Sequence, residues 1–157
     1  MSNKYLGSCL CGSVKYEVSG EFKSFFLCHC VYCQKDSGAA FAANLFANTS
    51  TLTWLQGDAF VKIYRHTNTS HVKSFCQNCG SALPTMTEDT GCVMVPAGSL
   101  DSPVPMLPTA KIFVASRARW SDHLDHLPGC EALPERAARG ATPSDPASDS
   151  SGPSKLL

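Results

Sequence analysis

The chain has 157 residues, 43% apolar and 17% charged, a balance typical of one globular domain with its own core. Thirteen basic and thirteen acidic residues cancel, which argues against a nucleic-acid partner or an anionic membrane surface, because both attract basic faces. No apolar run approaches the roughly 18 residues of a membrane span, and residues 1–5 lack the apolar stretch of a secretory signal, so we expect a cytoplasmic protein.

The N-terminal part of the chain predicts strands around a cysteine-rich stretch. Val14, Tyr16 and Val18 alternate with polar residues, and this period of two predicts a half-buried strand that ends at Gly20. The apolar run 25–27 leads into cysteines at 28–33. After them, 34–38 is typical of a single helical turn or a loop. The small apolar residues of 38–45 predict a strand packed closely against a neighbour or a ligand.

The rest of the chain predicts further short strands joined by turns. The strands are expected over 51–54, 59–64, 71–75, 92–95 and 111–115, with turns at 56–58, 67–70 and 96–101. No segment before residue 130 has a convincing helical period over about ten residues. We therefore expect a mostly β domain over 1–133 and a C-terminal tail over 134–157, disordered from about residue 141 because its composition shifts to Ala, Arg, Pro, Ser, Gly and Asp.

Nine cysteines without a predicted secretory signal indicate metal or redox chemistry rather than disulfides. The pairs Cys9/Cys11 and Cys76/Cys79 together supply four thiolates, and Gly80 suits the tight turn of a zinc knuckle. Four thiolates on Zn²⁺ make a closed site, which would staple the N-terminal strand to the middle of the chain and contribute folding free energy. Four unrelated buried cysteines, or iron in place of zinc, are the alternatives.

A second set of thiols comprises Cys28, Cys30 and Cys33, here named the central triad. Zinc needs sulfur atoms about 3.7 Å apart, and a C-x-C step followed by a C-x-x-C turn can bring three thiolates onto such a centre. Three protein ligands leave a fourth position open. Zinc on three thiolates is a poor Lewis acid that tolerates a fourth thiolate, so this site suits binding a substrate thiol better than splitting water. The triad would thus act in catalysis as the ligands of an open zinc.

A second structural zinc, with a fourth ligand from elsewhere in the chain, is the alternative for the central triad. His29 could instead be a base beside a bound thiol, or could point away between two ligands. The candidates for a fourth ligand are the histidines and the two remaining cysteines: His29, His66, His71, His123, His126, Cys92 and Cys130.

In order and spacing, these cysteine motifs resemble the signature of the glutathione-dependent formaldehyde-activating (Gfa-like) family. The motifs are Gly7-Ser8-Cys9-x-Cys11-Gly12, Cys28-His29-Cys30-x-x-Cys33 and Phe75-Cys76-x-x-Cys79-Gly80-Ser81. Supporting marks are Gly57-Asp58, the run Ala97-Gly98-Ser99-Leu100-Asp101, and Trp120 shortly before Leu127-Pro128. The resemblance covers roughly residues 4 to 130.

The resemblance implies an Mss4-like β-tent of folded antiparallel sheets that is stapled by zinc. It implies two zinc ions per chain, a structural one on the first and last cysteine pairs and a second one, tied to activity, on the central triad. The family's named activity is of the carbon–sulfur lyase type, in which glutathione and formaldehyde condense to S-hydroxymethylglutathione. The expected substrate is therefore a glutathione, or other thiol, adduct of formaldehyde or a small aldehyde.

Recognition of glutathione would require cations for its carboxylates. The sequence offers Lys35, Arg65, Lys73, Lys111 and Arg117 without indicating which of them line the site. The alternative function is a non-catalytic zinc module of the same fold that binds a protein partner, which would need a fourth ligand at the triad and an exposed apolar patch. Oligomeric state lies outside what the sequence predicts.

Overall fold

A computed structural model describes residues 3–48, 50–87 and 91–133 of the chain. No helix in these ranges has the length and hydropathy that spanning a membrane requires. The described elements are β1 (Lys4–Ser8), β2 (Lys15–Ser19), β3 (Phe22–Cys28), α1 (Val31–Ser37), β4 (Ala42–Ala47), β5 (Thr51–Gln56), β6 (Val61–Arg65), β7 (Val72–Cys76), β8 (Ala82–Leu83), β9 (Thr85–Met86), β10 (Val93–Pro96) and β11 (Ala110–Ile112), with short 3-10 turns after several strands.

The described residues form three sheets, with strand orders β1-β2-β5, β11-β3-β4-β10-β9 and β6-β7-β8. All strand pairs are antiparallel except β11 with β3, which run parallel. The predicted mostly β fold class is confirmed, and these folded antiparallel sheets agree with a β-tent.

The predicted alternation in β2 is confirmed by burial. Val14, Tyr16 and Val18 are all 0% exposed and belong to the hydrophobic core, whereas Lys15 between them is exposed. Residues from the other sheets complete the core, among them Leu45 and Val95. Because these residues come from β2, β4 and β10, one core joins the first sheet to the five-stranded sheet.

The largest difference from the sequence-based expectation is α1. The helix covers Val31–Ser37, whereas the sequence predicted a single helical turn or a loop over 34–38, so the helix begins earlier and is longer than expected. Its seven residues are too short to display a helical period, and its start is set by Cys30, which caps it. Gly38 ends it with a left-handed φ of 66°, so the following strand begins at Ala42 and not at Gly38.

The last predicted strand, 111–115, is also shorter than expected. β11 ends at Ile112 because Phe113 adopts a left-handed φ of 55°, which turns the chain into a 3-10 turn over Val114–Ser116. The predicted strand over 59–64 likewise begins as a 3-10 turn, Asp58–Phe60, before β6.

The chain divides into two units between Asp122 and His123. The first contains all the strands named above. In the described part of the second, Leu124–His126 form a 3-10 turn and the rings of His123 and His126 are stacked. The predicted tail over 134–157 lies outside the described residues.

Candidate metal centres

Four thiols from two distant segments meet at one point, and Cys9, Cys11, Cys76 and Cys79 are here named the four-cysteine cluster. Their Sγ atoms all lie within 4.8 Å of one another. The Sγ atom of Cys11 is 3.5 Å from that of Cys9 and 4.0 Å from that of Cys76. These separations bracket the roughly 3.7 Å of a tetrahedral zinc–thiolate site. The cluster therefore fits a four-coordinate metal ion.

Two glycine turns shape this cluster. The N–H of Gly12 donates to the carbonyl of Cys9, and the N–H of Gly80 donates to that of Cys76. Both glycines have φ near 72°, at 72° and 73°, in the left-handed region that favours glycine. The prediction that Gly80 serves a tight turn is thus confirmed.

Serines lie beside two of the four thiols. Oγ of Ser13 is 3.2 Å from Sγ of Cys11, and Oγ of Ser81 is 3.3 Å from Sγ of Cys79. Hydrogen bonds from the Ser81 side chain, and then from its backbone, lower the pKa of Cys79 to about 6. At neutral pH this thiol is therefore mostly a thiolate, the form that binds metal.

The central triad lies where β3 passes into α1. Cys28 ends β3, Cys30 caps α1, and Cys33 lies in its first turn. Sγ of Cys30 accepts a hydrogen bond of 3.4 Å from the N–H of Cys33, as expected of a capping side chain. The three Sγ atoms lie within 4.8 Å of one another. The short helix, which the sequence did not reveal, is what folds the C-x-C-x-x-C stretch into a cluster.

The triad thiols differ in their surroundings. Burial raises the pKa of both Cys28 and Cys33. Burial also opposes ionisation of Cys30, but hydrogen bonds from the Cys33 backbone and the neighbouring thiols outweigh it and lower the pKa of Cys30. Three thiolates at this separation repel one another, so a divalent cation is the partner that this donor set fits.

Histidine, cysteine or carboxylate side chains from the described part of residues 3–122 add no fourth ligand to the triad. His29, His66, His71 and Cys92, which the sequence left as candidates, do not join the cluster of three. A three-coordinate donor set is the arrangement of an open metal site and not of a closed one.

His29 lies between two triad cysteines, but it is not among the residues that line the cavity described below. The side chain is 5% exposed, packs against Phe41 with 5.2 Å between ring centroids, and has no hydrogen-bond partner at either ring nitrogen among the described residues. Its backbone is well anchored, because its N–H donates to Ile112 and its carbonyl accepts from Gln34. This placement favours the second of the two predicted alternatives, a ring that points away.

A cavity of about 980 Å³ opens beside the triad, and all three triad cysteines line it. One face of the five-stranded sheet forms part of its wall. Strand register sets lining side chains there in three successive rows, which are Ile112–Cys28–Ala42, Asn44–Pro96 and Phe46–Met94–Thr85. A cavity of this size matches the upper range of small-molecule sites.

Charged groups of the cavity cluster at one side. Lys73 pairs with the carboxylate of Asp36 and also donates to its backbone carbonyl at 2.7 Å. Nε2 of His71 lies 3.2 Å from the same carboxylate, and its ring stacks on Tyr32 at 5.6 Å. The sequence offered five basic residues that could bind the carboxylates of glutathione. Among the described residues that line this cavity, Lys73 is the one that belongs to this set.

Sequence reasoning missed Asn44 and the pairing of Lys73 with Asp36. Asn44 lies within the strand that was predicted from small apolar residues. A single polar residue inside such an apolar run could have indicated a polar group on the cavity wall. The ion pair joins positions 37 apart in the chain, so no local pattern could have revealed it.

Known proteins offer two comparisons. A family model described as glutathione-dependent formaldehyde-activating enzyme matches residues 4–116, which include both cysteine clusters. The crystal structure of a Rhodobacter sphaeroides protein, a structural genomics target, is similar with a TM-score of 0.51 and 23% sequence identity. The similarity covers 64% of this chain and 91% of that one, and at this identity it supports the fold alone. No curated protein matches the chain closely enough to count as a relative.

Proposed function

Because the chain belongs to the glutathione-dependent formaldehyde-activating enzyme family, we propose that it is a zinc-dependent enzyme of the carbon–sulfur lyase type. Its substrate would be the adduct of glutathione, or of another thiol, with formaldehyde or a small aldehyde. The observation that carries this proposal is the central triad, whose three thiols line a cavity of about 980 Å³ without a fourth ligand from the described part of residues 3–122.

Each cluster would hold one zinc ion, with different roles. The four-cysteine cluster offers a full tetrahedral set and would serve as a structural staple. The central triad leaves room for a ligand from the cavity. Zinc on three thiolates supplies a soft cation that stabilises one further thiolate, that of the substrate.

The residues around the triad would hold the reactants together. In the synthetic direction, the thiolate sulfur forms a bond to the carbonyl carbon, and the carbonyl oxygen takes up a proton to become a hydroxyl group. In the lyase direction, the hydroxyl loses that proton as the carbon–sulfur bond breaks. Apolar side chains of Phe41, Leu83 and Ile112 line the same cavity and would help to confine the small carbonyl compound beside the sulfur.

The test combines metal content with reaction rate. Elemental analysis of the full chain should find two zinc ions per molecule. Nuclear magnetic resonance exchange measurements should show faster equilibration between free formaldehyde and its glutathione adduct than in buffer. Cys30→Ser should lose one of the two zinc ions and return the exchange to the uncatalysed rate, because a hydroxyl is a poor replacement for a thiolate on zinc.

The matched control is Cys130→Ser, which replaces an exposed cysteine outside both clusters. It should keep both metal ions and the full rate. A Cys30→Ser protein that keeps two zinc ions and full exchange activity would refute the proposal. So would a wild-type protein with two zinc ions that accelerates no thiol–aldehyde exchange, for glutathione or for the neutral thiols introduced below.

A further inference from the structure

We propose that the cavity selects the adduct of a neutral thiol bearing an apolar group, with the carboxamide of Asn44 binding one uncharged polar group of that substrate. This inference rests on the proposed function, since it assumes that the substrate sulfur is held at the central triad. It narrows the substrate class from thiols in general to uncharged, largely apolar ones.

Asn44 is a polar residue in the otherwise apolar part of the cavity wall. Its side chain lines the cavity and is only 8% exposed. In the part of the chain that the structure describes, its carboxamide has no side-chain hydrogen bond, and its strand neighbours pair with it through the backbone ladder. Among the described residues, the fully buried side-chain atoms without a partner are the ring nitrogens of His29, so the Asn44 carboxamide is still reachable from the open cavity. A carboxamide that faces a cavity in this state is a binding group for a ligand.

Strand register places Asn44 within reach of a substrate at the triad. Cys28 pairs with Ala42, so their side chains lie on one face of the sheet, and Asn44 follows two residues later on that face. Two residues along a strand span about 7 Å. A substrate with its sulfur at the triad and its body along β4 would present its third or fourth atom to the carboxamide.

The surroundings of Asn44 are apolar. In the neighbouring strands its register partners are Phe26 and Pro96, and Phe46 and Met94 form the next row of the cavity wall. These side chains offer dispersion contacts and burial, but no hydrogen bonds, to whatever lies beyond the polar group. They suit a hydrocarbon or aromatic substituent.

The charges of the cavity argue against a strongly anionic thiol. Lys73 and Asp36 are the charged lining residues, apart from the imidazole of His71, and the two neutralise each other. Glutathione carries two carboxylates and one ammonium group, and a zinc centre with three thiolates adds a negative charge. Binding glutathione deep in this cavity would leave at least one carboxylate without a cation, which is costly in an apolar site.

The test uses three thiols titrated into the zinc-loaded full chain by isothermal calorimetry. N-benzyl mercaptoacetamide is uncharged and carries one amide carbonyl and one aromatic ring. Phenylbutanethiol has the same length but lacks the amide. Glutathione is the charged comparison. We expect the amide thiol to bind about tenfold more tightly than glutathione and about tenfold more tightly than phenylbutanethiol, the size of one well-placed hydrogen bond.

Asn44→Leu isolates the role of the carboxamide. The variant should bind the amide thiol about tenfold more weakly and phenylbutanethiol at least as well as the wild type. It should also melt at a similar temperature, because the substitution breaks no side-chain hydrogen bond within the described residues. The matched control is Thr53→Val on β5, an exposed residue outside the cavity lining, and its affinities should not change.

Two outcomes would overturn the inference while leaving the proposed function intact. One is tighter binding of glutathione than of the amide thiol; the other is equal weakening of both neutral thiols by Asn44→Leu, which would indicate packing alone. In both cases Cys30→Ser would still abolish thiol binding. If no thiol binds the wild-type protein, or if Cys30→Ser leaves binding unchanged, the proposed function fails and this inference fails with it.

Discussion

The hydroxyl of Tyr16 lies 2.6 Å from Oγ of Ser99 and 3.0 Å from its carbonyl oxygen, although the two residues are 83 positions apart. Tyr16 is on β2 in the first sheet, and Ser99 ends the 3-10 turn that follows β10 of the five-stranded sheet. Oγ of Ser99 in turn donates to the carbonyl of Pro96. This contact ties the first sheet to the strand that carries one wall of the cavity.

Tyr16→Phe should lower the free energy of unfolding by about 1 kcal/mol at neutral pH, the usual net value of one hydrogen bond. The measurement is denaturant unfolding followed by circular dichroism. Ser99→Ala should also destabilise the domain, because it loses its bond to the Pro96 carbonyl as well as its contact with Tyr16. The double variant should lose less than the sum of the two single losses, because the contact between the two side chains is removed only once. Fully additive losses would contradict the contact.

The same tyrosine should make stability depend on high pH. Burial raises the pKa of Tyr16 to about 12 from its ordinary value of 10, although the Ser99 hydrogen bond opposes this and the Asp101 charge adds to it. Because the pKa is raised in the folded state, the stabilisation is complete below pH 10 and is lost as the pH rises to about 12. The wild type should lose about 2–3 kcal/mol more than Tyr16→Phe over that range. The absorbance of tyrosinate should show one tyrosine fewer ionising near pH 12 in the variant than in the wild type.

Gly7→Ala should destabilise the domain by about 1–3 kcal/mol, or about 3–10 °C in melting temperature. A methyl group at Gly7 would lie 2.2 Å from the ring of Tyr16 and 2.5 Å from the carbonyl oxygen of Ser99, and the latter is backbone that cannot easily move. Gly98→Ala is the matched control, since nothing lies within 4 Å of its added methyl group. Equal melting temperatures for the two variants would count against this close packing.

Loss of metal from the four-cysteine cluster should loosen the whole domain. We expect Cys76→Ser to cost at least about 3 kcal/mol, or about 10 °C in melting temperature, because the cluster joins segments 65 residues apart. Cys130→Ser should have no measurable effect. A Cys76→Ser protein, or a chelated wild type, that melted at the normal temperature would show that the cluster is not a structural metal site.

Asp36→Asn should raise the affinity for glutathione. The substitution removes the charge that neutralises Lys73 and leaves the lysine ammonium at the cavity wall without an ion pair. Calorimetry should show about tenfold tighter glutathione binding and unchanged binding of N-benzyl mercaptoacetamide. Adding salt should diminish the gain. An equal change for both thiols would indicate a general distortion of α1 and not a change of charge.

The spacing of cysteines and the alternation in β2 made both clusters and the core predictable. Each signal is local: a C-x-C or C-x-x-C step brings its own thiols together, and the period of two in Val14, Tyr16 and Val18 determines which face is buried. The order of the motifs along the chain then predicted that the Cys9/Cys11 pair and the Cys76/Cys79 pair share one site. Neither pair alone could have predicted this.

The features that shape the cavity could not be predicted in this way. The parallel pairing of β11 with β3 joins segments 84 positions apart, and the single-sequence pattern does not specify a partner strand. α1 is shorter than two helical periods. The significance of Asn44 arises only from its lack of a partner in the folded chain, a property that sequence patterns do not record.

The spacing of the two clusters also sets the order in which the chain could acquire its metal ions during synthesis. The central triad lies within six residues, so it can close as soon as that short segment leaves the ribosome, at little cost in chain entropy. The other cluster must wait until Cys79 has emerged, and it encloses most of the domain between Cys11 and Cys76. If both clusters bind metal ions as proposed above, a nascent chain could therefore load the central triad first and the four-cysteine cluster last.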